Sequence, residues 1–292
     1  MPLATLTAPD PQALARDAIR SVTALATLPE VTARIIATVE DPRSSAANLH
    51  KIISHDPALV TRILKLVNSA FYGLPGQVGS IDRAIVLLGL NAVKNIAIAA
   101  SLGQLFRGVK LCDKFSARDL WTHCIAVAVA GRELAKGLKL PLVDEAFLGG
   151  MIHDSGILIS LQAWPEKTRS ICNSVLKSGG NFCQAEQQGL GLDHQTLGQA
   201  LAEQWKFPAS CRLVAGSHHN PTTVQDDSRL LVTLVYVADT ICCQIAQGFN
   251  LTAQHQQLDS ALLAEVKIEP ALIEQVKANL PAQVSAAAAV FG

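Results

Sequence analysis

Aromatic residues make up only 4% of the 292 positions, and no run alternates apolar and polar residues between turn dipeptides. Strands draw on both features, so a β-rich fold is excluded. Charge is scarce as well: Asp, Glu, Lys and Arg together reach 16%, and Lys+Arg balances Asp+Glu at 24 each. A chain with no net field has nothing to recruit a polyanion over its surface, so no nucleic-acid partner is expected. With 49% apolar residues, disorder is excluded too. No CxxC pair occurs among Cys112, Cys124, Cys172, Cys183, Cys211, Cys242 and Cys243. Their odd number and irregular spacing fit buried apolar side chains in a reducing cytosol, not a disulfide framework. The opening MPLATLTAPDPQ lacks both a basic start and a continuous apolar stretch, so a signal peptide is not expected. The most apolar segment, 84–102, is interrupted by Asn91, Lys94 and Asn95, which excludes a membrane span. Neither an internal repeat nor a low-complexity linker is present. The expectation is an all-α cytoplasmic protein.

What is present is a helical period. Pro9, Asp10 and Pro11 open a helix expected to run to about residue 26, and Pro29 suits the first turn of another over 31–40. The Asp41-Pro42-Arg43-Ser44-Ser45 stretch breaks the chain, with Ser45 as a cap for 46–54. Asp56 and Pro57 start a helix that carries Leu59, Ile63, Leu66 and Val67 on one face. After the turn-rich loop 68–76, Ser80-Ile81-Asp82 opens a long apolar helix through residue 102 with Gly89 inside it. That glycine costs about 1 kcal/mol against Ala, so close packing or a kink is expected there. Cys112-Asp113-Lys114 marks a boundary between two helical lobes, 1–110 and 111–292. Further helices are expected over 120–136, 144–152, 166–178, 193–204, 209–218 and 228–248, followed by two short patterns and an Ala-rich end.

The second lobe holds the candidate chemistry. His123 follows Trp121 in its first helix; His153 and Asp154 close an apolar helix, with Gly156 placed as a helix C-terminus asks. His194 begins another helix, four residues before Gly198, which allows close approach on the same face. His218 and His219 are stopped by Asn220-Pro221, and Asp239 sits inside an apolar run. Imidazole and carboxylate together form a borderline ligand set suited to Zn, Mn or Fe. An ionised Asp239 in such a helix is costly unless a cation, a histidine or a helix N-terminus answers it. Each residue taken singly has an ordinary structural role; the order H…HD…H…HH…D is far more specific.

That order resembles the HD superfamily of metal-dependent phosphohydrolases. The resemblance implies ligand roles for His123, His153, Asp154, His218 and Asp239, with His194 and His219 extending the set toward a site for one or two ions. Two metals about 3.5–4 Å apart polarise a phosphoryl group and generate a hydroxide. The likeness is closer still to the HDOD family, the HD-related output domain of bacterial signalling proteins. It spans about 24–239 and rests on Leu28-Pro29, Ile52-Ile53-Ser54-His55-Asp56-Pro57, Leu64-Lys65-Leu66-Val67-Asn68-Ser69-Ala70-Phe71-Tyr72 and Ser80-Ile81-Asp82-Arg83-Ala84 in the first lobe. In the second lobe it rests on Gly149-Gly150-Met151-Ile152-His153-Asp154-Ser155-Gly156, Asp193-His194 and Trp205-Lys206-Phe207-Pro208. His55-Asp56 is itself an HD dipeptide, but before Pro57 it reads as a helix start rather than a ligand pair.

The resemblance implies a bacterial regulatory module that works through an unidentified signalling partner, with a retained metal site. The alternative is a phosphohydrolase acting on a nucleotide or other phosphate ester, with Asp154 in the catalytic centre. A weaker third reading holds a nucleotide without turnover. Ile157 stands where cyclic-dinucleotide phosphodiesterases of the HD-GYP type carry a lysine. Asn220-Pro221 follows His218-His219 in place of an acidic residue, and no Gly-Tyr-Pro follows. These departures argue against cyclic-di-GMP hydrolysis. With no receiver, GGDEF or EAL-like segment, a stand-alone domain is expected.

Overall fold

The computed structural model describes residues 10–22, 28–39, 43–69, 72–106, 108, 110–225 and 227–291. In the first half the helices are α1 (Pro11–Ser21), α2 (Glu30–Val39), α3 (Ala46–Ser54), α4 (Pro57–Val67), α5 (Ile81–Leu88) and α6 (Leu90–Leu102). Their starts follow ordinary capping chemistry. The Asp10 carboxylate accepts from the Gln12 N–H at 3.1 Å, Ser45 Oγ from Asn48 N–H at 3.2 Å, and Asp56 Oδ1 from Leu59 N–H at 2.9 Å. Asp56 is therefore a cap, with His55 ending α3 just before it. Pro9, residues 23–26 of the expected first helix, the Asp41-Pro42 break, and Ala70 and Phe71 of the following loop lie outside the described residues.

The single long helix expected after Ser80 is in fact two. Gly89 adopts φ 90° and ψ 161°, ending α5 and starting α6. A Cβ there would meet nothing within 4 Å, so backbone freedom and not close packing is what the glycine provides. Downstream of the break α6 is buried at every position from Ala92 to Leu102, enclosed by α2, α4 and the second half.

The second half contains α7 (Ala117–Gly137), α8 (Val143–Ile152), α9 (Ser155–Ala163), α10 (Pro165–Ser178), α11 (Phe182–Leu190), α12 (His194–Gln204), α13 (Ala209–Ser217), α14 (Arg229–Gln244), α15 (Ser260–Glu265) and α16 (Pro270–Phe291). Helices α9 and α11 fall between the expected elements, and α14 stops at Gln244 short of residue 248. Long α7 is its axis, packed by α8, α14 and α16, while α9 lies on α12 and α12 on α13. The α7–α8 crossing is close because Gly150 has no side chain: a Cβ there would sit 2.5 Å from the Ala128 backbone. Among the described residues no strand forms, only one antiparallel bridge between Lys110 and Ser116.

One contiguous apolar cluster runs from Ala15 to Ala287. Helix α1 rests on α9 and α12, and α16 reaches back to α4, so both ends of the described chain pack across the molecule. The chain is all-α. Among the described residues no helix is long and apolar enough to cross a membrane.

Candidate metal centre

Five separate segments bring the seven sequence-selected side chains together. His123 projects from the middle of α7, and His153 and Asp154 form the two-residue joint between α8 and α9. His194 is the first residue of α12, His218 and His219 follow α13, and Asp239 lies two-thirds along α14. The joint is tight. Gly156 is no helix C-terminus but part of the first turn of α9, where an added Cβ would strike the His194 carbonyl and the Gly198 N–H. Gly156 thus lets the start of α9 press against α12, setting Asp154 beside His194.

Asp154 is central. Its Oδ2 lies 3.6 Å from His123 Nε2 and 3.4 Å from His153 Nε2, while its Oδ1 lies 3.4 Å from both His194 Nε2 and His218 Nε2. The cluster therefore divides into two halves that share one carboxylate. The first half holds His123, His153 and Asp239, with 3.0 Å between His123 Nε2 and Asp239 Oδ1. The second holds Asp154, His194, His218 and His219.

The outer ring nitrogens fix the tautomers. Nδ1–H of His153 donates to the Gly150 carbonyl at 2.8 Å, that of His218 to Val214 at 3.1 Å, and that of His123 to Gln247 at 3.3 Å. His194 differs: its Nδ1 lies 2.6 Å from Glu186 Oε2, which also accepts the His194 backbone N–H at 2.9 Å. With Nδ1 engaged outward as a donor, the neutral rings of His123, His153 and His218 turn their Nε2 lone pairs inward. The consequence is a convergence of acceptors. His194 Nε2 sits 3.3 Å from His218 Nε2 and 3.1 Å from His219 Nε2. Both Asp154 oxygens, Asp239 Oδ2, His123 Nε2, His153 Nε2 and His219 Nδ1 have no hydrogen-bond partner. His123, His153, Asp154, His194, His218 and Asp239 are 0% exposed. Buried lone pairs facing one another are costly, and a cation between them removes that cost. The donor set fits a divalent transition metal.

The electrostatics follow from burial and mutual proximity. Burial alone would raise the Asp154 carboxyl; the facing His153, His218 and His194 outweigh it and hold it well below the ordinary carboxylate range. Asp239 is likewise held low against burial, chiefly by His123. Burial drives His219 and His218 down, favouring neutral rings at both. His194 runs the other way: burial would lower it, but Glu186 raises it to about 10.

A cover closes the site. The segment after α14 supplies the Gln247 carbonyl to His123, and Phe249 N–H donates to Asp119 O at 3.0 Å on α7. Phe182 lies over His194 at 5.9 Å between ring centroids, and Phe249 meets Phe182 and Phe115 edge-on at 5.7 and 5.3 Å. Ile157, at the position of the absent lysine, is fully buried in apolar core. Glu186 was not singled out from the sequence. Its only local signal is a carboxylate eight residues before His194, across a helix end that the periodicity did not resolve.

The HDOD domain family profile matches residues 25–221. A curated Treponema pallidum (strain Nichols) relative of uncharacterized function is 24% identical over 246 residues, or 83% of this chain; the chain spans about half of it, 46%. Among solved structures, an HDOD domain protein of unknown function from Geobacter sulfurreducens superposes with TM-score 0.77 at 23% identity, covering 96% of each chain. A Shewanella amazonensis SB2B protein named "Putative phosphohydrolase" superposes with TM-score 0.73 at 25% identity, covering 94% of this chain and 98% of that one.

Proposed function

Because the chain belongs to the HDOD family, we propose that it is a regulatory module whose buried metal centre holds the second half in the one arrangement that a signalling partner reads. The observation carrying this reading is a complete donor set that is closed: six of the seven side chains are 0% exposed, and His219 is 6% exposed. Structural metal sites are closed by protein ligands, whereas catalytic ones keep a position open to substrate. The metal is Mn, Fe or Zn. His123, His153 and Asp239 with Asp154 Oδ2 would hold one ion, and His194, His218 and His219 with Asp154 Oδ1 a second. When bound, such ions supply positive charge to the inward lone pairs and Lewis acidity toward a phosphoryl oxygen. The chain's own residues do the rest: the Nδ1 donors hold ring orientation, the Phe115–Phe249–Phe182 cluster excludes water, and Ile157 provides no cation for a phosphate. The partner is a signalling protein, and the compartment is the cytoplasm.

A second reading is a metal-dependent phosphohydrolase acting on a nucleotide or other phosphate ester. It is favoured by the bridging position of Asp154, whose two oxygens face two histidines each, and by the name of the Shewanella relative at 25% identity. In that reading the cover at 247–249 opens to admit substrate.

One set of measurements separates them. Elemental analysis after incubation with Mn(II) or Fe(II) is expected to find one or two ions per chain, with no phosphate released from a broad phosphoester panel. Ligand held at a hundredfold excess over Kd stabilises by about 2.7 kcal/mol. At about 2–4 °C per kcal/mol for a chain of this size class, chelation lowers Tm by about 5–10 °C. No metal uptake overturns both readings; a turnover that needs Asp154 promotes the second.

A further inference from the structure

Four histidines of the cluster turn Nδ1 outward, and three of them rest on neutral backbone carbonyls. The fourth, His194, rests on a carboxylate. Glu186 is 1% exposed and sits on α11, which supplies none of the seven cluster side chains. Placing an ionised carboxyl there is costly, and among the described residues the ion pair it makes is with His194. Helix capping does not account for it. Asp193 already caps α12, its Oδ1 accepting from the Thr196 N–H at 3.0 Å, so the Glu186 bond to the His194 backbone is additional. The two bonds from one oxygen, to N–H and to Nδ1, pin both ends of the His194 residue and leave its ring no freedom to turn. Cys183 lies within ligand distance of Glu186 and His194, but at 2.6 Å the Nδ1–Oε2 gap is filled by a proton and has no room for a cation.

We propose that Glu186 is the positioning residue of the second half-site, holding His194 Nε2 toward the ion shared with Asp154, His218 and His219. This rests on the metal-centre reading above and deepens it. An anionic partner on the outer nitrogen fixes the tautomer and makes Nε2 a stronger donor than a carbonyl partner does. The half-site containing His194 then binds its ion through a different outer shell from the half containing His123 and His153. The two ions are expected to differ in affinity and in their response to Glu186.

The test uses the full chain, stripped with chelator and titrated calorimetrically with Mn(II) and Co(II), alongside E186A and E186Q. Wild-type uptake tests the metal-centre reading; the variants test Glu186. Removing an outer-shell partner of a ligating histidine costs about 10–100-fold in affinity, so E186A is expected to lose that much for one ion and nothing for the other. E186Q keeps an oxygen that accepts from Nδ1–H and is expected to restore part of the loss. The visible bands of the Co(II) protein are expected to shift in the same order, a change that a purely structural role does not produce. If E186A does not fold, E186Q decides alone. Wild-type affinity, stoichiometry and Co(II) spectrum in the folded variants would overturn the assignment, whatever happens to Tm. A wild-type chain that takes no ion overturns the metal-centre reading and this assignment with it.

Discussion

Both halves of the molecule bury polar side chains, and they treat them in opposite ways. In the first half, Lys94 is 3% exposed, yet its ammonium donates to Thr38 O and Ser44 Oγ, each at 2.9 Å. Thr32 Oγ1 donates to Ser101 Oγ at 2.7 Å, and Asn95 Nδ2 reaches across to Asp144 O at 3.1 Å. These groups are satisfied by protein and tie helices together. In the second half, the outer atoms of the cluster are equally well satisfied, but several inner ones, both Asp154 oxygens and the Nε2 atoms of His123 and His153 among them, converge without hydrogen-bond partners. A fold gains nothing by burying unpaired acceptors. The difference therefore separates polar groups that tie helices together from polar groups that could hold a metal ion.

The comparison breaks most completely at Asp154. Asp154→Ala removes the carboxylate that the two halves share and is expected to abolish metal uptake, measured by elemental analysis after incubation with Mn(II); a variant that still holds a full complement would show that the carboxylate is not the bridge. Next is Gly156→Ala. The new Cβ collides with the His194 carbonyl, and overpacking of this kind costs about 1–3 kcal/mol. Because the collision moves a ligand, both the denaturation midpoint and metal affinity are expected to fall. In the first half, Lys94→Met keeps the aliphatic stem but strands the Thr38 carbonyl and the Ser44 hydroxyl. The expected loss is about 1–3 kcal/mol by chemical denaturation, with metal content unchanged. Thr32→Val is the mildest: one hydrogen bond, about 0.5–1.5 kcal/mol, again with full metal content. A first-half variant that empties the site would erase the distinction.

Much of the fold was readable because helix caps are local. Ser45, Asp56-Pro57 and Ser80 start helices through bonds to backbone N–H groups within three residues, and sequence alone places them. Of the two expectations at Gly89, close packing fails and a change of direction holds, because a glycine cost of about 1 kcal/mol does not reveal whether the chain kinks or turns to φ 90°. The role of Gly156 was misjudged for another reason: its obstacle is His194, on a helix thirty-eight positions later. Helix α9, starting directly after Asp154, lacks a side-chain cap, so nothing local announces it. The seven cluster residues were readable from their types and order, while Glu186 was not, since a lone carboxylate near a helix end is commonplace until its partner is known.

Residue type and spacing by themselves determined an all-α chain, the family likeness, and which imidazoles and carboxylates were available, because these depend on short-range periodicity and on chemistry carried by single side chains. Tertiary structure alone decided that the donors meet, that Asp154 stands between two groups of them, that Glu186 backs His194, and that Gln247, after α14, accepts from His123. Those properties belong to distances between segments far apart in the chain, set by how closely helices approach at Gly150 and Gly156, and no local pattern encodes them.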